Sequence, residues 1–227
     1  MAGKTFLELC QLTREKCGIS GSGPAAVTSQ SGEMLRIVNW VQESWLDLQR
    51  RRKMWWWMRA EFSFDTIAGQ QDYTPANAGL SDLSTWHMDT LRAYRAADGV
   101  GDEQFLVEWE YQTFRNTYQY GEQINGRPVV VAVRPRDRAL LLGSIPDAAY
   151  TIRGEYQRAA RPFNAGTDIP TIPEEFHMII VYGAMQKYAY YENAPEVMAD
   201  GRSNYNMLFD QLMENQTDDI TLGDPLA

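Results

Sequence analysis

The sequence predicts an α+β protein: a helical bundle of two N-terminal and two C-terminal helices, with a β-rich domain inserted between the pairs. Three observations carry that prediction. Apolar residues recur at helical spacing from Gly32 to Met58, alternation takes over from about Arg59 to Ile169, and the helical period returns after "DIPTIPEEF". The expected boundaries are 1–58 with 171–217 for the helical core, 59–170 for the β-rich insertion, and 218–227 for a flexible acidic tail.

The first helix should run from about Thr5 to Cys17. Thr5 and Glu8 have capping-box spacing, and Gly18 stands where a C-terminal cap belongs. "GISGSGPAAVTSQSG" is then a Gly/Ser-rich connection, too long for a tight turn. A long second helix is expected from Gly32 to Met58. Met34, Ile37, Val38, Val41, Trp45, Leu48 and Trp55 form its apolar stripe, opposed by Glu43, Asp47 and Arg50.

In the middle region "EFSFDT" alternates. So does "AAYTIRGEYQ", where Tyr150, Ile152 and Tyr156 oppose Thr151, Arg153, Glu155 and Gln157. "PVVVAV" and "ALLLGSIPDAAYTI" read as strands separated by turns. "QFLVEWEYQTFRNTY" fits both periods, and a short strand or turn passing into a helix near Glu108 is expected. Pro173 suits the first turn of a helix that continues through Phe176, Ile179, Ile180, Tyr188 and Tyr191. Gly183, Ala184 and Ala189 leave room for a neighbouring helix. "ENAPEV" breaks it before a last helix carrying Met198, Tyr205, Leu208, Phe209 and Leu212.

With 227 residues, 44% of them hydrophobic, the chain can bury one sizeable core or two small ones. No run of about 18 apolar residues marks a membrane span, and the N-terminus lacks the apolar segment of a signal peptide, so cytoplasmic synthesis is expected. The net charge of -9 is localised: residues 168–227 carry 11 acidic residues against Lys187 and Arg202, and the remainder balances. A nucleic-acid binder concentrates basic charge on its binding face, so this balance argues against one. Cys10 and Cys17 would lie about 10 Å apart on one helix, beyond disulfide reach, and read as reduced thiols.

Catalytic chemistry has no anchor. "AGKT" at residues 2–5 lacks the upstream glycine and strand of a phosphate-binding loop, and capping of the first helix is expected instead. His87 and His177 have no metal-ligand spacing, and no nucleophile elbow is present. Glu108/Glu110 and Glu174/Glu175 are carboxylate pairs of a kind that can do acid–base work, though acids at a helix start more often complement its dipole. No catalytic, cofactor-binding or metal-binding residue is assigned, and no cofactor is expected.

Two basic stretches remain. "RRRKMWWWMR", residues 50–59, has the composition of a nucleic-acid grip or a membrane anchor, but it ends the long helix, where cations are favoured anyway. Successive helical residues point about 100° apart, so Trp55, Trp56 and Trp57 cannot share a face. Trp55 continues the core stripe, and the other two should meet the insertion or a neighbouring subunit. In "RPVVVAVRPRDR", Arg127, Arg134, Arg136 and Arg138 admit three readings: a phosphate-contacting patch, a solvated edge strand guarded by charge and proline, or an interface with acidic surface. The candidate interface residues are thus Trp55, Trp56, Trp57, Arg50, Arg51, Arg134, Arg136 and Arg138, with Asp218 and Asp219 of the acidic tail.

The order of "FLELCQLTREKCGISGSGP", "GEMLRIVNWVQESWLDLQ", "WWWMRAEFSFDTIAGQQDYTP", "GRPVVVAVRPRDRALLLGSIPDAAYTIRGEYQ" and "DIPTIPEEFHMIIVYGAMQKYAYYENAPEV" resembles the head-to-tail connector, or adaptor, proteins of tailed bacteriophages. The likeness extends from about Phe6 to Leu212; "LLLGSIPD" departs from the more usual L-x-P-x-P at one turn. It implies a ring of identical subunits, commonly twelve, docked beneath the portal protein. Such a ring extends the DNA channel without sequence-specific binding and receives tail or nozzle proteins at the head–tail junction of the virion. In several relatives the C-terminal segment reaches along the portal. The alternative from another class is a virion-associated peptidoglycan hydrolase, resting on scattered carboxylates such as Glu61, Glu108 and Glu174.

Overall fold

A computed structural model describes residues 3–217. The chain is a mixed α+β protein that divides into two compact units: one runs to Trp57 and resumes at Ala160, and the other is Met58–Ala159. Five α-helices are described: α1 (Phe6–Lys16), α2 (Gly32–Arg50), α3 (Tyr111–Tyr118), α4 (Met178–Glu192) and α5 (Pro195–Asn215). All but α3 belong to the first unit.

The expected cap of α1 is present. Thr5 Oγ1 accepts from the Glu8 N–H at 3.3 Å, and the Glu8 carboxylate accepts from the Thr5 N–H at 2.7 Å. At the other end Gly18 (φ 70°) donates to the Glu15 carbonyl and Ile19 to the Arg14 carbonyl, which satisfies carbonyls that a helix end leaves open. Cys10 and Cys17 are free and buried, and burial pushes both thiols up to about 12.

α4 packs against α1, α2 and α5. It lies tight against α2 at Gly183, where an added Cβ would lie 2.2 Å from Ser44 Oγ. That hydroxyl donates to the Ile180 carbonyl at 2.8 Å. Ile37, Val41, Leu48, Ile179, Ile180 and Met185 are fully buried around this contact. Pro173 starts a 3-10 turn, Glu174–Phe176, rather than the α-helix itself. Asn193 turns left-handed to end α4, and Pro195 opens α5.

One element differs plainly from expectation: α2 stops at Arg50, eight residues before Met58. No glycine or proline forces the stop. Tertiary bonds hold the next residues out of the helix: Trp55 Nε1 donates to the Gln49 carbonyl at 3.1 Å, and the Trp56 N–H donates to Gln216 Oε1 at 3.0 Å. Trp56–Met58 then forms a 3-10 turn.

The second unit contains β1 (Arg59–Asp65), β2 (Asp72–Tyr73), β3 (Leu83–Arg95), β4 (Gln104–Phe105), β5 (Val107–Glu108), β6 (Asn125–Gly126), β7 (Val130–Val133), β8 (Leu140–Gly143), β9 (Ile145–Pro146) and β10 (Tyr150–Arg158). One sheet has the order β1-β10-β3-β4, another β2-β8-β7-β5, and β6 pairs with β9. Phe62, Trp86, Leu91, Leu140, Leu142, Ile152 and Tyr156 from the two larger sheets share one core. α3 covers the other side of β7 and β8, with Phe114 against Val130, Ala132 and Leu141. The ambiguous stretch is strand then helix, as expected, with Glu110 as the N-cap of α3.

β3, the central thirteen-residue strand, has no counterpart in the sequence reading. Its pairing with β10 shifts register between Arg153 and Glu155, so Trp86 and Leu91 reach one core although they are five residues apart. A two-residue period cannot survive that irregularity.

Candidate interaction surfaces

The tryptophan segment is part of the core of the helical unit. Ring contacts run from Phe6 to Phe163 (4.6 Å), to Trp45 (5.4 Å), to Trp57 (5.4 Å), to Trp55 (5.8 Å), and to Phe209 on α5 (6.4 Å). Had α2 continued, Trp55 and Trp57 would point about 200° apart; leaving the helix lets both join this series. Trp56 alone stays 40% exposed.

The cations beside them divide in the same way. Arg51 lies over the rings of Tyr205 and Phe209 at 5.0 and 5.3 Å, and Arg52 lies over Trp55 while donating to the Gln216 carbonyl. Arg50 and Lys53 face solvent. Asp218 and Asp219 lie outside the described residues.

Two glutamines complete this packing. Gln42 and Gln49, seven residues apart on α2, each donate to and accept from one backbone residue: Phe163 at 3.0 and 3.1 Å, and Arg161 at 3.0 and 2.9 Å. Gln49 is buried, so this pairing replaces the water its amide loses. Nothing in the helical spacing marks either glutamine, and the chain lying against them reveals the role.

The arginines of the other unit are mostly spoken for. Arg127 makes a two-pronged pair with Asp102 at 2.7 Å. Arg134 grips Asp137 and reaches Asp72 at 3.0 Å; this guanidinium lowers the Asp137 carboxyl to about 2. Arg138 donates to the Leu83 carbonyl at 2.8 Å. Arg136, in the same β7–β8 turn, projects with its side chain 77% exposed.

The carboxylates suspected of catalysis are dispersed. Glu61 lines a groove of about 820 Å³ on the β1–β10–β3 sheet with Asp89 and Glu155. Glu108 is on β5 of another sheet, and Glu174 is in the 3-10 turn before α4. Both histidines are buried. His177 is fully buried; its Nδ1 accepts from the Lys4 N–H at 3.0 Å, and Nε2–H donates to the Ile172 carbonyl at 3.1 Å. Burial depresses its pKa, as it does for His87. Among the described residues no cluster of His, Cys, Asp and Glu is placed to hold a metal ion, and no helix is long and apolar enough to cross a membrane.

A family model described as SU10 adaptor protein matches residues 4–226. The chain belongs to the SU10 adaptor protein family. It is thus a phage adaptor, a structural component of the virion. A search among curated proteins returned no match to the adaptor.

The α2–α4 face of the adaptor carries a second aromatic group that the sequence reading did not single out as a site. Trp40 meets Tyr188 at 6.0 Å and Tyr191 at 5.7 Å, and Arg36 lies 4.6 Å over the Tyr191 ring. Tyr190 and Tyr191 are 85% and 54% exposed. Trp40, Tyr190 and Tyr191, with Glu43, Gln186 and Lys187, line an open groove of about 580 Å³. Helical spacing puts Tyr188 and Tyr191 on the apolar stripe with Phe176 and Ile180, and Tyr190 falls off it.

Proposed function

We propose that this adaptor forms a ring of identical subunits, commonly twelve, beneath the portal protein. The ring extends the DNA channel and receives the tail or nozzle proteins. The helical unit serves as a bundle and residues 58–159 as a domain inserted into it. The observation that carries this reading is the family match over residues 4–226.

Physical features support it. A closed ring needs heterologous contacts between two different faces of each subunit. Exposed aromatics such as Trp56 and Tyr190, and the projecting Arg136, suit contacts of that kind. A channel through which DNA slides is served by weak, non-specific contact, and the balanced charge outside the acidic last quarter suits that need.

A mass measurement on the free protein and on its mixture with portal tests the proposal. The portal complex should gain a whole number of 26.0 kDa copies, several per portal. A portal whose mass is unchanged by saturating adaptor would overturn it.

A further inference from the structure

We infer that the α2–α4 groove of one subunit seats the Pro135–Arg136 turn of a second copy of the chain. The inference rests on the ring reading and names the two faces that meet between neighbouring subunits.

Groove and turn are complementary in chemistry and charge. The groove offers Trp40, Tyr190 and Tyr191 as ring surface. Lys187 is shared between Asp47 at 2.7 Å and Glu43 at 3.4 Å, which leaves one carboxylate there in excess. Arg36 lies over the Tyr191 ring, and Glu192 and Glu33 are the carboxylates acting on the neighbouring Tyr188. An incoming cation therefore meets aromatic faces and net negative charge, the combination that favours guanidinium.

The β7–β8 turn supplies that cation. Of its three arginines, Arg134 is held by Asp137 and Asp72, and Arg138 by the Leu83 carbonyl. Arg136 approaches Asp137 only at 3.7 Å, on a carboxylate already gripped by Arg134, and a pair so exposed holds it weakly. Pro135, also exposed, presents a rigid apolar ring beside it and has no N–H to bury. The Arg134–Asp137 bonds fix the turn beforehand, so little order is lost on docking. Because groove and turn are different surfaces, the contact repeats head to tail, as ring closure requires.

The test uses the full-length chain assembled on portal. Arg136→Cys combined with Tyr190→Cys should give a ladder of disulfide-linked multimers under mild oxidation, and neither single variant should. Cys10 and Cys17 do not compete, being buried thiols. Arg136→Glu should weaken ring assembly by about tenfold or more, and adding Glu43→Lys should restore part of that loss. Unchanged melting curves for the variants separate these effects from misfolding. A ring that forms without the ladder, and that tolerates Arg136→Glu, overturns this contact while leaving the ring reading standing. No ring from the wild-type chain overturns both.

Discussion

Trp55 and Trp56 are neighbours in sequence with opposite surroundings: the first is fully buried and bonded to the Gln49 carbonyl, the second half in solvent. Trp55→Ala should therefore cost about 3–5 kcal/mol in denaturant unfolding, and Trp56→Ala less than about 1 kcal/mol. Equal losses would contradict the packing described. Gln49→Ala removes both hydrogen bonds to the Arg161 backbone and should cost about 1–3 kcal/mol. His177 adds a pH dependence. Its folded pKa is depressed below 6.5, chiefly by burial, so the unfolded state binds more protons. Stability is then full above about pH 6.5 and falls as pH drops through the depressed folded value. Glu174 and Lys4 are the charges beside the ring, and they act in opposite directions. His177→Gln should flatten that part of a melting-temperature profile; an unchanged slope would assign it to other groups.

Among the elements, local signals were legible and tertiary ones were not. The box and glycine cap of α1 are set by residues within one turn, so the sequence alone places both ends of that helix. The end of α2 depends on Gln216, some 160 positions away, and on the indole of Trp55, which no periodicity encodes. β3 escaped for a related reason: its register shift scrambles the alternation that marks a strand. The contact between α2 and α4 was half legible. Gly183 announced a close approach, but not that Ser44 would be the partner. Gly183→Ala should overpack that contact and cost about 1–3 kcal/mol. A Ser44→Ala background should relieve part of the loss, and strict additivity in the double-mutant cycle would show that the two residues do not meet.

For the whole molecule, the order of segments carried more functional information than any single residue. The likeness to phage connectors was readable along the chain and agrees with the family to which it belongs. Individual contact residues were harder to read, because an exposed arginine and one committed to its own unit look alike in sequence. Arg134, Arg136 and Arg138 share one turn, and only their partners tell them apart. The same holds for Trp55, Trp56 and Trp57. Electron microscopy of purified adaptor mixed with its portal tests the proposed ring. A continuous ring of adaptor density coaxial with the portal channel is expected. Portal particles that stay bare, under conditions in which the virion assembles, would contradict it.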